Sequence, residues 1–419
     1  MKPLSRDFEV PSRSTQTLGA VEGDLVVGES AVIKGEGTPP KVSVSGTVRC
    51  RGDCVFECSL AAESLLGEGY IVVKGDLEIK ERVRLGNGVG FGIFHERAAL
   101  NVEGKMKAET VDVDNKLTVG KDFEAETVDV GGSLEVKGNT KAQRVDVGGS
   151  FSAWGEVETQ IIDVGGAVNI EAKVKLEKID VGGSANVGGG RVDEVDVGGS
   201  FESKDSLEFN SIDVGGSVKL TGKNVGGDID VGGVCKVQGD LQFDKIDVGG
   251  IVEISGSGKG NSLDVGGKVW VGGSLQLSGG IDVGGRVEVE GDFAAREVDV
   301  GGSVKAKSIT ATSKVNVDGS IVATAGVSAF SVSIGRRGKI VGPVRADEVF
   351  VGGGARVEDV YAKRIAIERG ARARNLYGEN ISIESECSVS GEVQYTQGLR
   401  TGRNVYFAKT PAKVEKLPQ

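Results

Sequence analysis

The chain has 419 residues, a net charge of −11, one His, five Cys and 68 Gly, with aromatic residues at 5%. So much Gly disfavours helix interiors. The acidic surplus disfavours a nucleic-acid surface along most of the length, and a single His leaves imidazole-based catalysis one residue to rest on.

Residues 1–18 are polar, contain two prolines and read as a disordered arm. No apolar run suited to a signal peptide follows the start, and no stretch reaches transmembrane length. The expected location is cytoplasmic, with any membrane contact peripheral. Residues 19–105 alternate apolar and polar side chains in poor phase, with Leu25/Val27, Val42/Val44, Val48/Cys50, Leu77/Ile79 and Val83/Leu85 as buried pairs. They read as irregular β-helical coils. The segment 86–97 breaks the alternation and reads as a loop that either presents Phe91, Ile93 and Phe94 to a partner or folds over the first coils.

From residue 106 the chain repeats itself. Asp-Val-Gly-Gly occurs eleven times, beginning at Asp129, Asp146, Asp163, Asp180, Asp196, Asp213, Asp230, Asp247, Asp264, Asp282 and Asp299. The phase starts at Asp112 and runs on through Asn316, Ser333, Phe350, Ala366 and Ser382, so that it covers 106–398 in steps of 16 to 18 residues. Apolar residues fall one before and one after the Asp (Val128, Val130), five and seven after it (Leu134, Val136), and in a pair before the next Asp (Phe123 with Ala125, Leu241 with Phe243). Each pair brackets one polar residue, the period of a strand with one buried face. A repeat so short encloses no core alone, so copies must stack. The expected fold is all-β: a single-stranded parallel β-helix, or β-solenoid, with three short strands per coil of about 17 residues. The usual hand of parallel crossovers makes it right-handed. The Gly-Gly step is expected to form a bend through positive φ, with a second bend at residues such as Gly138 and Gly239. About 22 coils at about 4.8 Å each give a rod of roughly 100 Å.

The C-terminal end changes character. Residues 336–419 hold 15 Lys and Arg against 10 Asp and Glu, and 399–419 read as a basic tail.

The acidic ladder, Asp129 to Asp299, should point outward with like charges about 4.8 Å apart, repelling by roughly 1 kcal/mol even in water. Three uses remain open: hydrogen bonds to turn amides or Lys, recruitment of divalent cations, or a face for a basic partner or a sister filament. Cys50, Cys54 and Cys58 have C-x3-C-x3-C spacing, unlike the usual zinc pattern, and share the parity of Val48 and Phe56. They read as buried small hydrophobes, as do Cys235 and Cys387 in the column of Leu134 and Val218. His95 has no neighbour at ligand spacing. No catalytic set, cofactor site or metal site is expected.

The recurring V-x-V-G-G-x-V-x-V-x-G resembles the bactofilins, polymer-forming cytoskeletal proteins of prokaryotes. VDVGGSLEVKG (128–138) and IDVGGVCKVQG (229–239) carry the likeness, and KIVGPVRADEVFVGGGARVEDVYAKRIAIERGARARNLYG (339–378) is similar to the family too. The resemblance implies a right-handed β-helix that assembles end to end into nucleotide-independent filaments and scaffolds cell-envelope or chromosome-associated proteins. This array is far longer than the family's usual single domain. The physics agrees, because an uncapped β-helix ends in open strand edges. The expected assembly residues are Leu25, Val27 and Val32 at one end, and Val389, Val393, Tyr395, Val405, Tyr406 and Phe407 at the other. The alternative is a non-polymerising binding rod that docks a protein partner on the Asp ladder or on loop 86–97.

Overall fold

The computed structural model describes residues 7–86 and 98–418. Every secondary-structure element among them is a β-strand, and every strand pairing between elements is parallel. The chain divides into two units, 1–210 and 211–419. Each is a β-solenoid, and together they hold about 23 turns of roughly 17 residues.

One coil of the first unit shows the logic. Phe123–Glu124, Thr127–Val130 and Ser133–Val136 lie over Met106–Lys107, Thr110–Val113 and Lys116–Val119. The next coil adds Thr140–Lys141, Arg144–Val147 and Ser150–Ala153 in the same register. Phe123, Val128, Val130, Leu134 and Val136 point inward and are fully buried. Alternation makes the intervening residues face water. Each inward Val, Leu or Phe contributes about 1.5–3 kcal/mol of burial. In several coils two sides merge into one strand, as in Val157–Val164 and Val174–Val181. The second unit repeats the scheme: Asp213 pairs with Asp230, Asp230 with Asp247, Asp247 with Asp264, Asp264 with Asp282 and Asp282 with Asp299.

The Gly-Gly step has a different cause from the one expected. None of the paired glycines in the Asp-Val-Gly-Gly copies lies at positive φ. The constraint is clearance: a Cβ on Gly165 would stand 2.5 Å from the carbonyl oxygen of Gly148, and one on Gly249 would stand 2.6 Å from that of Gly232. The corners stack carbonyl over Cα, leaving no room for a side chain. Positive φ appears at the other kind of bend, as at Gly239.

The C-terminal coils use a third corner. Arg337, Gly354, Gly370, Glu386 and Asn404 all have φ between 57° and 76° and recur once per coil. This left-handed corner is two residues longer than Gly-Gly, and it displaces the strand that follows. Cys387 is buried as expected, but at such a corner rather than in the column of Val218; Val218 pairs instead with Cys235.

Both ends depart from the sequence reading. The arm expected over 1–18 contains the strands Phe8–Val10 and Thr15–Leu18, which pair with Leu25–Val27 and Ala31–Gly35. Coiling therefore begins by Phe8, because a first rung needs apolar residues on its inner parity only. The expected tail 399–419 likewise holds Tyr406–Phe407 and Ala412–Lys413, paired with Ser388–Val389 and with Val393–Thr401. The poor phase of 19–105 comes from detours at corners. Phe8 meets Leu25 after 17 residues, but Leu25 meets Val48 after 23. Loop 86–97, with Phe91, Ile93, Phe94 and His95, lies outside the described residues apart from Gly86.

Candidate functional site

The Asp ladder is built as the spacing predicts. In the first unit Asp112, Asp129, Asp146, Asp163, Asp180 and Asp196 pair rung to rung on one outer face. Three cations serve that column: Arg84 reaches Asp112, Arg144 lies 3.4 Å from both Asp146 and Asp163, and Lys178 lies 3.9 Å from Asp180. In the second unit, from Asp213 to Asp282, the one ion pair among the described residues is Lys245 with Asp247 at 3.3 Å, and Lys314 acts on Asp282 from farther off. Asp299 is met by Lys314 and by the side-chain amide of Asn316.

Partial burial, followed by like charge on adjacent rungs, holds three ladder carboxyls above their ordinary range. Asp146 and Asp112 act on Asp129, Asp196 acts on Asp180, and Asp264 and Asp299 act on Asp282. Other faces carry the opposite pattern. Glu57 and Glu158 are held below the usual range by hydrogen bonds from Lys74 and Lys175, one rung away. Being exposed, such pairs add little stability.

The ladder's continuation changes chemistry. Phe350, Ala366, Ser382 and Arg400 follow in register where Asp stood earlier. They line a groove of about 410 Å³ with Arg364 and Asn380. Arg364 pairs with Glu348. Nearby, Arg345 sits 4.4 Å above the Tyr361 ring, which stacks on Tyr377.

Sequence reasoning missed a cationic row in these coils. Lys339 pairs in register with Arg356, and Arg356 with Arg372. Arg336 and Arg337 occupy the corner just before the row. All five are exposed, and none makes a side-chain hydrogen bond or ion pair with another described residue. The longer corner hid them, because counting from the Asp phase places these residues one column away. Recurrence of cations at 339, 356 and 372 was the available signal.

The thiols are interior. Cys50 and Cys54 touch, sulfur to sulfur, at 3.0 Å inside the coil, and Cys58 is buried beside them. The Cys54 contact and burial raise the Cys50 thiol; burial pushes Cys58 up to about 11 and Cys235 up to about 12. Cys50, Cys58 and Cys235 are therefore neutral packing groups at physiological pH. Among the described residues, no cluster of three or more His, Cys, Asp or Glu could hold a metal ion.

The end rungs lie only in part where the sequence put them: Tyr406 and Phe407 are on the last one, but other expected residues are interior. Leu25 and Val27 are wholly buried between Phe8–Val10 and Thr47–Arg51, and Val32 faces outward, half-buried. Val389 and Val393 are buried under the rung that follows them. The outermost residues of the first unit are Phe8, Val10, Leu18 and Val21, on strands paired along one edge only among the described residues. In the second unit, Tyr406–Phe407 and Ala412–Lys413 are likewise paired on one edge. There Tyr395, Leu399, Val405, Phe407 and Val414 are half-exposed, and Tyr406 is 65% exposed.

No family model, curated protein or solved structure matches this chain. Among the described residues, no helix is long and apolar enough to cross a membrane.

Proposed function

We propose that the chain is a cytoskeletal scaffold that joins through its end rungs into filaments without nucleotide. The observation that carries this reading is the last rung of the second unit. Its two strands have one unpaired edge each among the described residues, and the apolar Leu399, Val405 and Phe407 of these last coils are half-exposed. An open parallel edge flanked by exposed apolar side chains is a template for another strand. The first unit offers a matching edge at Phe8–Val10 and Thr15–Leu18. The resemblance of the repeat to bactofilins supports the same reading and suggests a cytoplasmic scaffold for cell-envelope or chromosome-associated proteins.

Negative-stain microscopy of the purified chain, with no nucleotide added, tests it. Filaments are expected, with a regular subunit repeat along the axis. Tyr406→Glu with Phe407→Glu should shorten or abolish them while leaving the far-UV circular dichroism unchanged. Short monodisperse particles from the unaltered chain at every salt and protein concentration would refute the proposal.

A further inference from the structure

We infer that the cationic row Lys339–Arg356–Arg372 is a side-to-side docking surface for the Asp213–Asp282 ladder of a second copy of this chain. Both surfaces lie in the second unit, and the contact is separate from the end-to-end one.

The row sets three cations without side-chain partners on successive rungs. Several cations elsewhere in these coils are paired, Arg369 with Glu386, Arg374 with Asp359 and Lys363 with Asp347, whereas no two of Lys339, Arg356 and Arg372 share a carboxylate and each stands directly over the next. The carboxylates nearest the row along its own strand are occupied, Glu358 by the Gly342 N–H and Asp359 by Arg374. Ser320 precedes the row and Ser388 follows it in register, so three successive rungs carry the charge, and Ser303 and Ser320 separate it from Arg286 and Lys268 farther along the column. Arg336 and Arg337 widen it at the corner. Three adjacent exposed cations repel one another as the aspartates do. Two uncompensated columns of opposite sign on one kind of molecule have an arrangement that relieves both.

Spacing selects the occupant. Parallel strands set the rise of the cationic row at about 4.8 Å per residue, and they set the Asp ladder to the same rise. Arg356 and Arg372 can therefore each meet an Asp on successive rungs with no accumulating mismatch. A nucleic-acid duplex offers one charge per about 1.7 Å of axis, which does not match. The ladder of the second unit is the better partner, because among the described residues Lys245 alone forms an ion pair with it between Asp213 and Asp282, with Lys314 acting on Asp282 from farther off, whereas three cations pair with the first unit's column. Guanidinium groups suit such pairs, since each can hold a carboxylate through two N–H donors.

The test uses full-length protein in sedimentation velocity and negative stain, at about 50 mM and about 500 mM salt, which brackets strong and weak screening. At low salt the unaltered chain should pair sideways, and high salt should weaken that association about tenfold or more. Arg356→Glu with Arg372→Glu should abolish the pairing, leaving any filaments single in width but unchanged in length. Asp264→Lys with Asp282→Lys should do the same. Mixing the two variants should restore pairing to near the unaltered level, because each then supplies the complement of the other. Arg356→Lys with Arg372→Lys should retain it. Pairing by either reversed variant alone, or failure of the mixture to pair while both variants keep the native circular dichroism, would overturn the inference. So would salt-insensitive pairing, or binding of the row to anionic phospholipid vesicles or duplex DNA in place of a second copy. If no filaments form, the end-to-end proposal fails alone; salt-dependent side-to-side dimers would still support this one.

Discussion

Replacing Gly165 by Ala isolates the reason for the Gly-Gly repeat. The new Cβ would stand 2.5 Å from the Gly148 carbonyl oxygen, whereas ordinary contacts begin at 3.4 Å, so the overlap is 0.9 Å. The obstacle is backbone, and that backbone is tied on both sides: Gly148 N–H donates to the Val130 carbonyl, and the Val147 carbonyl accepts from Gly165 N–H. Relief requires opening one corner of the stack, and overpacking of this kind costs about 1–3 kcal/mol. Gly370 is the control. It lies at φ +76°, with nothing within 4 Å of a built Cβ, so only conformational strain acts there. Gly370→Ala should cost about 1–2 kcal/mol, and Gly370→Asn should cost less, because Asn tolerates the left-handed region. At Gly165 the order should differ, with Asn no better than Ala. Urea unfolding followed by circular dichroism, together with hydrogen exchange at the altered coil, reads both sites. Exchange matters because a stacked array can open locally. A neutral Gly165→Ala, or an Asn that rescues it, would refute the clearance argument.

Removing ladder charge should stabilise the fold, with a defined pH dependence. The Asp129 and Asp282 carboxyls sit above their ordinary range when folded, so protonation favours the folded chain. Their contribution is favourable below the usual Asp pKa and is lost as pH rises through the raised value. Asp129→Asn and Asp282→Asn should therefore each raise stability near neutral pH, by about 0.5 kcal/mol after solvent screening, and the gain should vanish below about pH 4. Urea midpoints at several pH values check this; a gain that persists in acid would contradict it. The five cysteines should resist a thiol reagent in the native chain and all react in denaturant, since all are buried. Rapid native labelling of Cys50 or Cys54 would show that the coil around them opens.

The interior was largely legible because burial imposes a period. Val128, Val130, Leu134, Val136 and Phe123 had to recur at fixed offsets to stay dry, and the sequence displays those offsets directly. The corners were harder to read. Gly-Gly suggested positive φ, but the same two residues arise when a neighbouring carbonyl excludes a Cβ, and one chain of letters does not separate the two causes. The ends were misjudged for a related reason. A terminal rung buries one face against one neighbour, so Phe8–Val10 and Tyr406–Phe407 carry a weak apolar signal amid polar residues. The cationic row escaped notice because Arg337, Gly354 and Gly370 lengthen their corner and move Arg356 and Arg372 out of the counted column.

The detour between Leu25 and Val48 leaves the rungs on either side in register. The fold thus separates what closes it from what decorates it. Peptides inserted at a corner leave the strand pairing untouched, so epitopes or enzymes could be grafted there one rung apart, displayed at molecular intervals fixed by the backbone itself.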